Sequence, residues 1–389
     1  MPRWLFALLF AALIFYTDDY VIAGILPELA ADLGVSEAQA GQLVTVFSLT
    51  IALSAPVAAV TLTRVRRSTL FTVTLTIFAC ANLAAAVTSH FWILMALRVL
   101  AALCAGASTP AVFAWTATQA PPDKIGRYIS IVAMGVTGAI ALGVPLGTLI
   151  AHAVSWRGSF VALAIGALMA IVMIRATMVT DGRGEEEVPV SRQLRALGSP
   201  PVALTLGVNV VAMSGSMMAF TYLAPFLSDA VPDHELRAVT FAVSGLGGFA
   251  GVWIGGLLTD RIGALRTIVA ALATLAAGCA GAWLLWLTAP LHSLPLVIML
   301  VLLGAVQALG AFALSPALTA RLSTTAGDGA DAAIALNTSG TYLGVTIAGA
   351  AGGAILTGWD AGAVVAAATL IVGVAAALFA TSTRIAGSR

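Results

Sequence analysis

Charge is scarce in this chain. Asp, Glu, Lys and Arg make up 9% of its 389 residues, against about 25% in an ordinary soluble domain, and that shortage excludes a soluble globular fold. Lysine is nearly absent in favour of arginine, which together with abundant Ala and Gly points to a GC-rich bacterial genome. Cysteine is limited to Cys80, Cys104 and Cys279, each inside an apolar run, so neither a disulfide framework nor a thiolate metal site is expected. The four histidines, His90, His152, His234 and His292, are too dispersed for a metal site and fall at outer loops or helix ends. There they could sense external pH or simply sit at the interface. No Gly-Lys-Ser/Thr phosphate loop occurs, which argues against an ATP-driven pump. Neither a nucleophile elbow nor a metalloprotease helix is present, so no catalytic constellation supports an enzyme.

What is plentiful is apolar residue, 60% of the chain. A bilayer-spanning helix needs about 20 mostly apolar residues. Twelve such segments are predicted, near 4–26, 39–61, 69–88, 91–115, 128–150, 158–178, 200–222, 237–258, 267–288, 294–317, 332–354 and 360–380. The first is too long for a cleaved signal peptide, contains two acids and lacks a small-x-small exit, so it is expected to stay in the mature protein. An even number of spans puts both termini on one side. Of 18 basic residues, 15 fall on that side, only Arg157 and Arg237 on the other, and Arg98 within a span. By the positive-inside rule both termini and the long central loop are cytoplasmic.

That loop, residues 179–199, is the longest polar stretch and lies between spans six and seven, with an acidic run at Glu185–Glu187 that reads as a solvated linker. A weak repeat flanks it. Gly24-Ile-Leu-Pro27-Glu-Leu at the exit of span 1 matches Tyr222-Leu-Ala-Pro225-Phe-Leu at the exit of span 7, offset by 198 residues. Thr63-Arg64-Val65 matches Asp260-Arg261-Ile262 at nearly that offset. The expected organisation is a six-helix half at 1–178, a cytoplasmic linker at 179–199 and a second half at 200–389. Two parallel six-helix repeats are a recurring transporter plan.

Inside span 1 lie two adjacent acids, Asp18 and Asp19. An ionisable group at membrane depth costs roughly 2.5–3.5 kcal/mol on insertion scales and usually marks an ion path or proton relay. Span 4 carries a lone Arg98. Asp19 lies seven residues before Leu26 and Arg98 seven after Phe91, so both sit roughly 10 Å inside the outer face. Equal depth leads to an expected Asp19–Arg98 pair that breaks when Asp19 is protonated, with Asp18 tuning the titration or meeting substrate. Two bland readings compete: Arg98 snorkelling to the interface, or an interfacial acid that serves only as its structural partner.

Polar and aromatic residues within spans are candidates for a midplane substrate cavity: Tyr16, Tyr20, Trp115, Asn209, Phe220, Tyr222, Gln307, Asn337 and Tyr342. Each could equally hold helices together or join an aromatic belt. Small residues repeat in span 5 as Gly135, Ala139, Gly143 and Gly147, with Pro145 inside, and in span 8 as Gly247, Gly251 and Gly255. Such ridges let helix backbones approach closely, and spans 5 and 8 are expected to pack on each other through them. Ordinary packing with no transport meaning is the alternative.

Several of these motifs resemble the major facilitator superfamily. Gly255-Gly-Leu-Leu-Thr-Asp260-Arg261-Ile-Gly263 is similar to its loop signature, implying a conformational latch at Asp260, Arg261 and Gly263. The 2–3 loop is degraded, with Thr63 for the acid and Arg66 for the glycine. Asp328 and Asp331 stand near the helix end that the missing acid would meet. Gly143-Val-Pro145-Leu-Gly147 resembles the mark of antiporters. Thr17-Asp18-Asp19-Tyr20, followed by Pro27 and by Asp32-Leu-Gly-Val-Ser36, resembles the opening of bacterial twelve-helix drug and metabolite exporters, with Asp19 in the acid position and Asp18 in a variable one. Ser155-Trp-Arg-Gly-Ser-Phe160 adds a further match.

The resemblance implies an all-α integral membrane protein of twelve transmembrane helices in two pseudo-symmetric halves. It implies a proton-coupled antiporter exporting a drug, antibiotic or metabolite from the bacterial cytoplasm by alternating access. Sugar or nucleoside efflux is the second reading, and a membrane-embedded enzyme or receptor is disfavoured. Expected partners are a small-molecule substrate, protons and the lipid bilayer, with no nucleic acid and the chain a monomer. No cofactor or metal is expected, the proton gradient being the energy source.

Overall fold

The computed structural model describes residues 1–62, 64–121, 124–178, 198–230, 234–288, 294–326 and 330–387. Twelve helices among them are long and apolar enough to cross a membrane. They are α1 (Arg3–Leu33), α2 (Glu37–Thr61), α3 (Arg67–Val87), α4 (Phe91–Gln119), α5 (Ile125–Gly138, Ala139–Gly143 and Val144–Ala153 in succession), α6 (Trp156–Thr177), α7 (Pro200–Thr221), α8 (His234–Ile262), α9 (Ala264–Thr288), α10 (Leu294–Thr325), α11 (Ala330–Gly358) and α12 (Ala361–Gly387). A short helix, Leu223–Ala230, continues α7. Most of the linker, 179–197, lies outside the described residues, as do Thr63 and Asp328 and the side chain of Asp331.

Helices overrun the apolar windows where the sequence caps them. α1 runs through Pro27 to Leu33 and stops at Gly34, whose φ of 65° is the left-handed conformation that glycine adopts at low cost. Ser36 then starts α2: its hydroxyl accepts from Gln39 N, and the Gln39 side chain accepts from Ser36 N, a reciprocal capping box. Span 5 is not one uniform helix. Ile125–Gly138 passes through a π turn, Ala139–Gly143, into Val144–Ala153. Pro145 has no N–H to give to the preceding turn, and Val144 N instead reaches back to Ala139 O.

The ends of the bundle are termed the termini face, where α1 starts and α12 finishes, and the far face. α1 is the most enclosed span and α8 and α12 are among the least. The halves meet along two seams, α2 against α11 and α5 against α8. Adding six to each helix number turns α2 into α8 and α5 into α11, so the internal repeat exchanges one seam for the other.

The far face is shut. Tyr222 wedges between α2 and α11, its hydroxyl donating to Gly349 O at 2.7 Å, and a Cβ on Gly41 of α2 would come within 2.7 Å of Tyr222 Cζ. Beside it, Arg237 Nη2 of α8 donates to Glu28 Oε1 of α1 at 2.7 Å, linking the halves. Arg157 pairs with Asp32, which also accepts from Trp156 Nε1 at 3.1 Å. This uses the Ser155–Phe160 motif to tie α6 to the end of α1.

The glycine ridges do not meet each other as expected. A Cβ on Gly251 would collide with the Leu309 carbonyl oxygen and lie 3.0 Å from Leu309 Cα, and one on Gly255 would lie 2.7 Å from Ala313 Cα. Gly247 likewise abuts Ala305, so the α8 ridge seats α10. The α5 ridge turns to α1: a Cβ on Gly135 would lie 2.9 Å from Leu13 N, one on Gly143 2.7 Å from Thr17 Cγ2, and one on Gly147 against Val21. The α5–α8 contact is real but runs through Gly245 against Ile140 and Ala141, at the π turn beside Pro145. Spacing shows that a helix has a smooth stripe and leaves open which neighbour fills it.

Candidate functional site

Between the halves lies a cavity of about 800 Å³. Its lining comes from the middle of α1 and α7 and from the termini-face parts of α5, α8, α10 and α11, with Arg127, Leu257 and Thr319 toward that end. It therefore approaches the termini face and is sealed from the far face. Five of the nine candidate cavity residues border it: Tyr16, Tyr20, Asn209, Asn337 and Tyr342. The other four do not. Tyr222 belongs to the far-face closure. Trp115 is buried in helix packing. Gln307 donates to Ser216 O and Oγ, and with Phe220 it lines a separate void of about 30 Å³.

Sequence reasoning missed Phe249 and Trp253 of α8, Phe312 of α10 and Thr341 of α11, all of which border the cavity. Phe249 and Trp253 stand four apart, hence on one helix face. That spacing, interleaved with the glycine ridge, was the available signal. Asn209 Nδ2 of α7 donates to Asn337 O at 2.9 Å and to Thr341 Oγ1 at 3.0 Å, fixing α11 against α7. Tyr16 and Tyr20 stack with centroids 6.4 Å apart, and Tyr20 meets Phe220 edge-on at 5.9 Å. Tyr16 of α1 and Tyr342 of α11 both line the cavity, one from each half.

Behind this wall lie the two acids. The expected Asp19–Arg98 pair is not formed. Arg98 Nη1 stands 2.7 Å from Asp18 Oδ1, at ion-pair distance though not in hydrogen-bond geometry. Arg98 Nη2 donates to the main-chain carbonyl of Asp18 at 2.9 Å, and the guanidinium lies 4.0 Å over the Phe47 ring of α2. Asp18 and Arg98 are 0% and 1% exposed, so Arg98 does not snorkel and Asp18 does not meet the cavity. Depth matched both acids equally well; rotation about the helix decided, because adjacent residues diverge by about 100°. Asp19 is 3% exposed, and neither carboxylate oxygen has a hydrogen-bond partner. It neighbours Tyr16, Tyr20 and Tyr342 without bordering the cavity itself.

At the termini face Gly263 has φ 87° and turns the chain from α8 into α9. Asp260 and Arg261 are exposed, and among the described residues neither makes an ion pair or side-chain hydrogen bond. His90 and His152 sit at far-face helix ends, whereas the side chains of His234 and His292 lie outside the described residues. The cysteines are free thiols, with Cys104 and Cys279 buried.

Twelve apolar spans in two pseudo-symmetric halves, with a cavity between them that is shut at one end, match a recurring membrane-transporter plan. The chain belongs to the Major Facilitator Superfamily, whose model matches residues 8–298. It is 34% identical over 270 residues to the chloramphenicol resistance protein of Streptomyces lividans, covering 67% of this chain and 68% of that one. It is 34% identical over 254 residues to the MFS-type transporter YbcL of Bacillus subtilis (strain 168), covering 65% of each. A probable sugar efflux transporter of Pasteurella multocida is 27% identical over 250 residues, covering 61% of this chain and 59% of that one. These matches span about two thirds of the relatives' lengths. Among solved structures, a peptide transporter superposes with TM-score 0.77 at 18% identity, covering 100% of this chain and 95% of that one. The nucleoside transporter NupG gives 0.75 at 11%, covering 98% and 100%. At such identities the likeness is one of fold. The protein is a multi-pass membrane transporter and not an enzyme.

Proposed function

We propose that this protein is a proton-coupled antiporter that exports a small molecule across the bacterial cytoplasmic membrane. The observation that carries the reading is Asp19, a buried carboxyl without a partner, one residue from a neutralised Asp18–Arg98 pair and directly behind the cavity tyrosines. A lone buried carboxylate is costly as an anion, and taking up a proton removes that cost. Asp19 is thus the proton carrier. Asp18 and Arg98 form the fixed pair that holds α1 on α4.

With both termini cytoplasmic, as the arginine distribution requires, the cavity faces the cytoplasm and can load substrate from it. Export then follows by alternating access. Substrate binds from inside, the halves rock, and the far face opens. Substrate leaves while Asp19 takes a proton from outside, and the return carries that proton inward. The exposed Asp260–Arg261 latch is disengaged in this cytoplasm-open state and re-forms on closure. The chain acts as a monomer with no bound cofactor, driven by the proton gradient.

The Streptomyces relative makes an antibiotic such as chloramphenicol the first substrate to test. In everted vesicles, uptake of labelled chloramphenicol should depend on the proton gradient and collapse with a protonophore. Asp19→Asn should abolish gradient-driven uptake, and full activity in that variant would sink the proposal.

A further inference from the structure

We infer that Asn209 selects the substrate: its side-chain carbonyl accepts a hydrogen bond from a hydroxyl or amide N–H on an aromatic, drug-sized molecule. This rests on reading the central cavity as the substrate site. The cavity, about 800 Å³, suits a ligand of that size. Tyr16, Tyr20, Trp253 and Phe312 supply aromatic walls for its rings.

The partners of the Asn209 amide fix which way round it sits. Thr341 Oγ1 donates its one proton to Asn337 O, four residues back, at 3.1 Å, so toward Asn209 it can only accept. The Asn337 main-chain carbonyl is an acceptor as well. Asn209 must therefore turn its NH2 end to both, and Nδ2 reaches them at 3.0 and 2.9 Å. A flipped amide would set its oxygen against two acceptors. The same two bonds spend both Nδ2 protons and leave Oδ1 as the free end of the group.

That free end is reachable. Asn209 borders the cavity and keeps 4% of its surface exposed. Its Oδ1 makes no hydrogen bond among the described residues, and it is not one of the unpartnered atoms that packing seals off. Asn337 differs, since its Oδ1 is sealed without a partner and lies beyond a ligand's reach. A ligand that covers the Asn209 carbonyl satisfies it only by bringing a donor; otherwise a polar group is buried unpaired. Thr319 and Thr341, also on the lining, direct their hydroxyl protons to carbonyls of their own helices at 2.9 and 3.1 Å. The α10 and α11 walls thus add further acceptors for a donor-bearing ligand.

The test uses one aromatic pair, 4-(4-nitrobenzyloxy)benzyl alcohol and its methyl ether, each tritiated. Saturable binding to the full chain in nanodiscs is measured above that of empty nanodiscs, without a gradient. Gly256 borders the cavity, and a Cβ there would meet nothing within 4 Å. Gly256→Phe therefore projects a ring into the cavity and should remove binding of both probes. The native protein should bind the alcohol at least about five-fold tighter than the ether, the worth of one net hydrogen bond. Asn209→Leu, close to asparagine in shape, should erase that preference while the ether still binds, which also shows that the variant is folded. Thr341→Val breaks one bond of the same α7–α11 link but spares the carbonyl, and should keep the preference. Equal or absent binding of the two probes by the native protein overturns the inference, as does binding that survives Gly256→Phe or a preference that persists in Asn209→Leu. If Asn209→Leu binds neither probe, Thr341→Val decides. A retained preference there upholds the carbonyl, whereas loss of binding in both variants assigns the effect to the helix link and overturns the inference. Because binding is read at equilibrium, failure of proton-driven export in vesicles sinks the transport mechanism separately.

Discussion

Neutralising Glu28 should open the far face. The Glu28–Arg237 contact joins α1 of one half to α8 of the other at 2.7 Å, with Arg237 3% and Glu28 23% exposed. Truncating one member of a buried hydrogen-bonded charge pair costs about 2–5 kcal/mol, and Glu28's partial exposure places this pair at the lower end. The contact exists only while the far face is shut, so its loss acts on the conformational equilibrium and not on both states alike. A loss of about 2–3 kcal/mol shifts that equilibrium about 30- to 150-fold toward a form open at the far face. The assay is electron–electron distance measurement between spin labels at Val154→Cys and Trp359→Cys, both exposed and on opposite halves of the far face, with the exposed Cys80 changed to Ser. Glu28→Gln should add a longer distance that the parent lacks. The swap Glu28→Arg with Arg237→Glu should restore the short one, since opposite charges again face each other. An unaltered distribution in Glu28→Gln would refute the assignment of this pair as an outer latch.

The two adjacent acids should separate by phenotype: Asp18→Asn strands a buried Arg98 and should cost about 3–5 kcal/mol of stability, whereas Asp19→Asn should leave the thermal unfolding temperature nearly unchanged while abolishing proton coupling. Equal unfolding temperatures for both variants would contradict the pairing. Gly251→Ala forces a methyl against the Leu309 backbone and should destabilise by about 1–3 kcal/mol. Gly256→Ala, whose Cβ meets nothing within 4 Å, should show almost none of that loss in the same thermal scan. If the substrate is uncharged, exchanging it for protons moves net charge. A valinomycin-imposed potential, negative on the side that receives the protons, should then drive transport of the uncharged chloramphenicol without a pH gradient, and no response would refute exchange of this substrate for protons.

The spans were legible because a bilayer imposes one requirement, about 20 apolar residues with every backbone group bonded internally, and hydropathy measures it. The capped overruns, such as α1 continuing past Pro27 to Gly34, are less so, since caps extend a helix into its polar flank. At the cavity, the residues bordering it were found where polarity in a span is itself unusual, as with Asn209 and Asn337. Trp253, Phe249 and Phe312 were missed because an aromatic residue in a membrane helix is commonplace, and only its azimuth decides whether it faces lipid, a neighbour or the cavity. Tyr222 and Gln307 carried the same signal as Asn337 and proved to be helix ties.

From the sequence alone come the membrane, the twelve spans, the repeat and two acids whose burial needs a reason. These rest on one-dimensional quantities, hydropathy and depth, that survive without knowing how helices are turned. Which acid holds Arg98, which helix fills each glycine stripe and which polar groups meet the cavity were decided only in three dimensions. Residues 18 and 19 lie at nearly the same depth but point about 100° apart. A pairing that depends on rotation and on the position of α4 is therefore settled by packing.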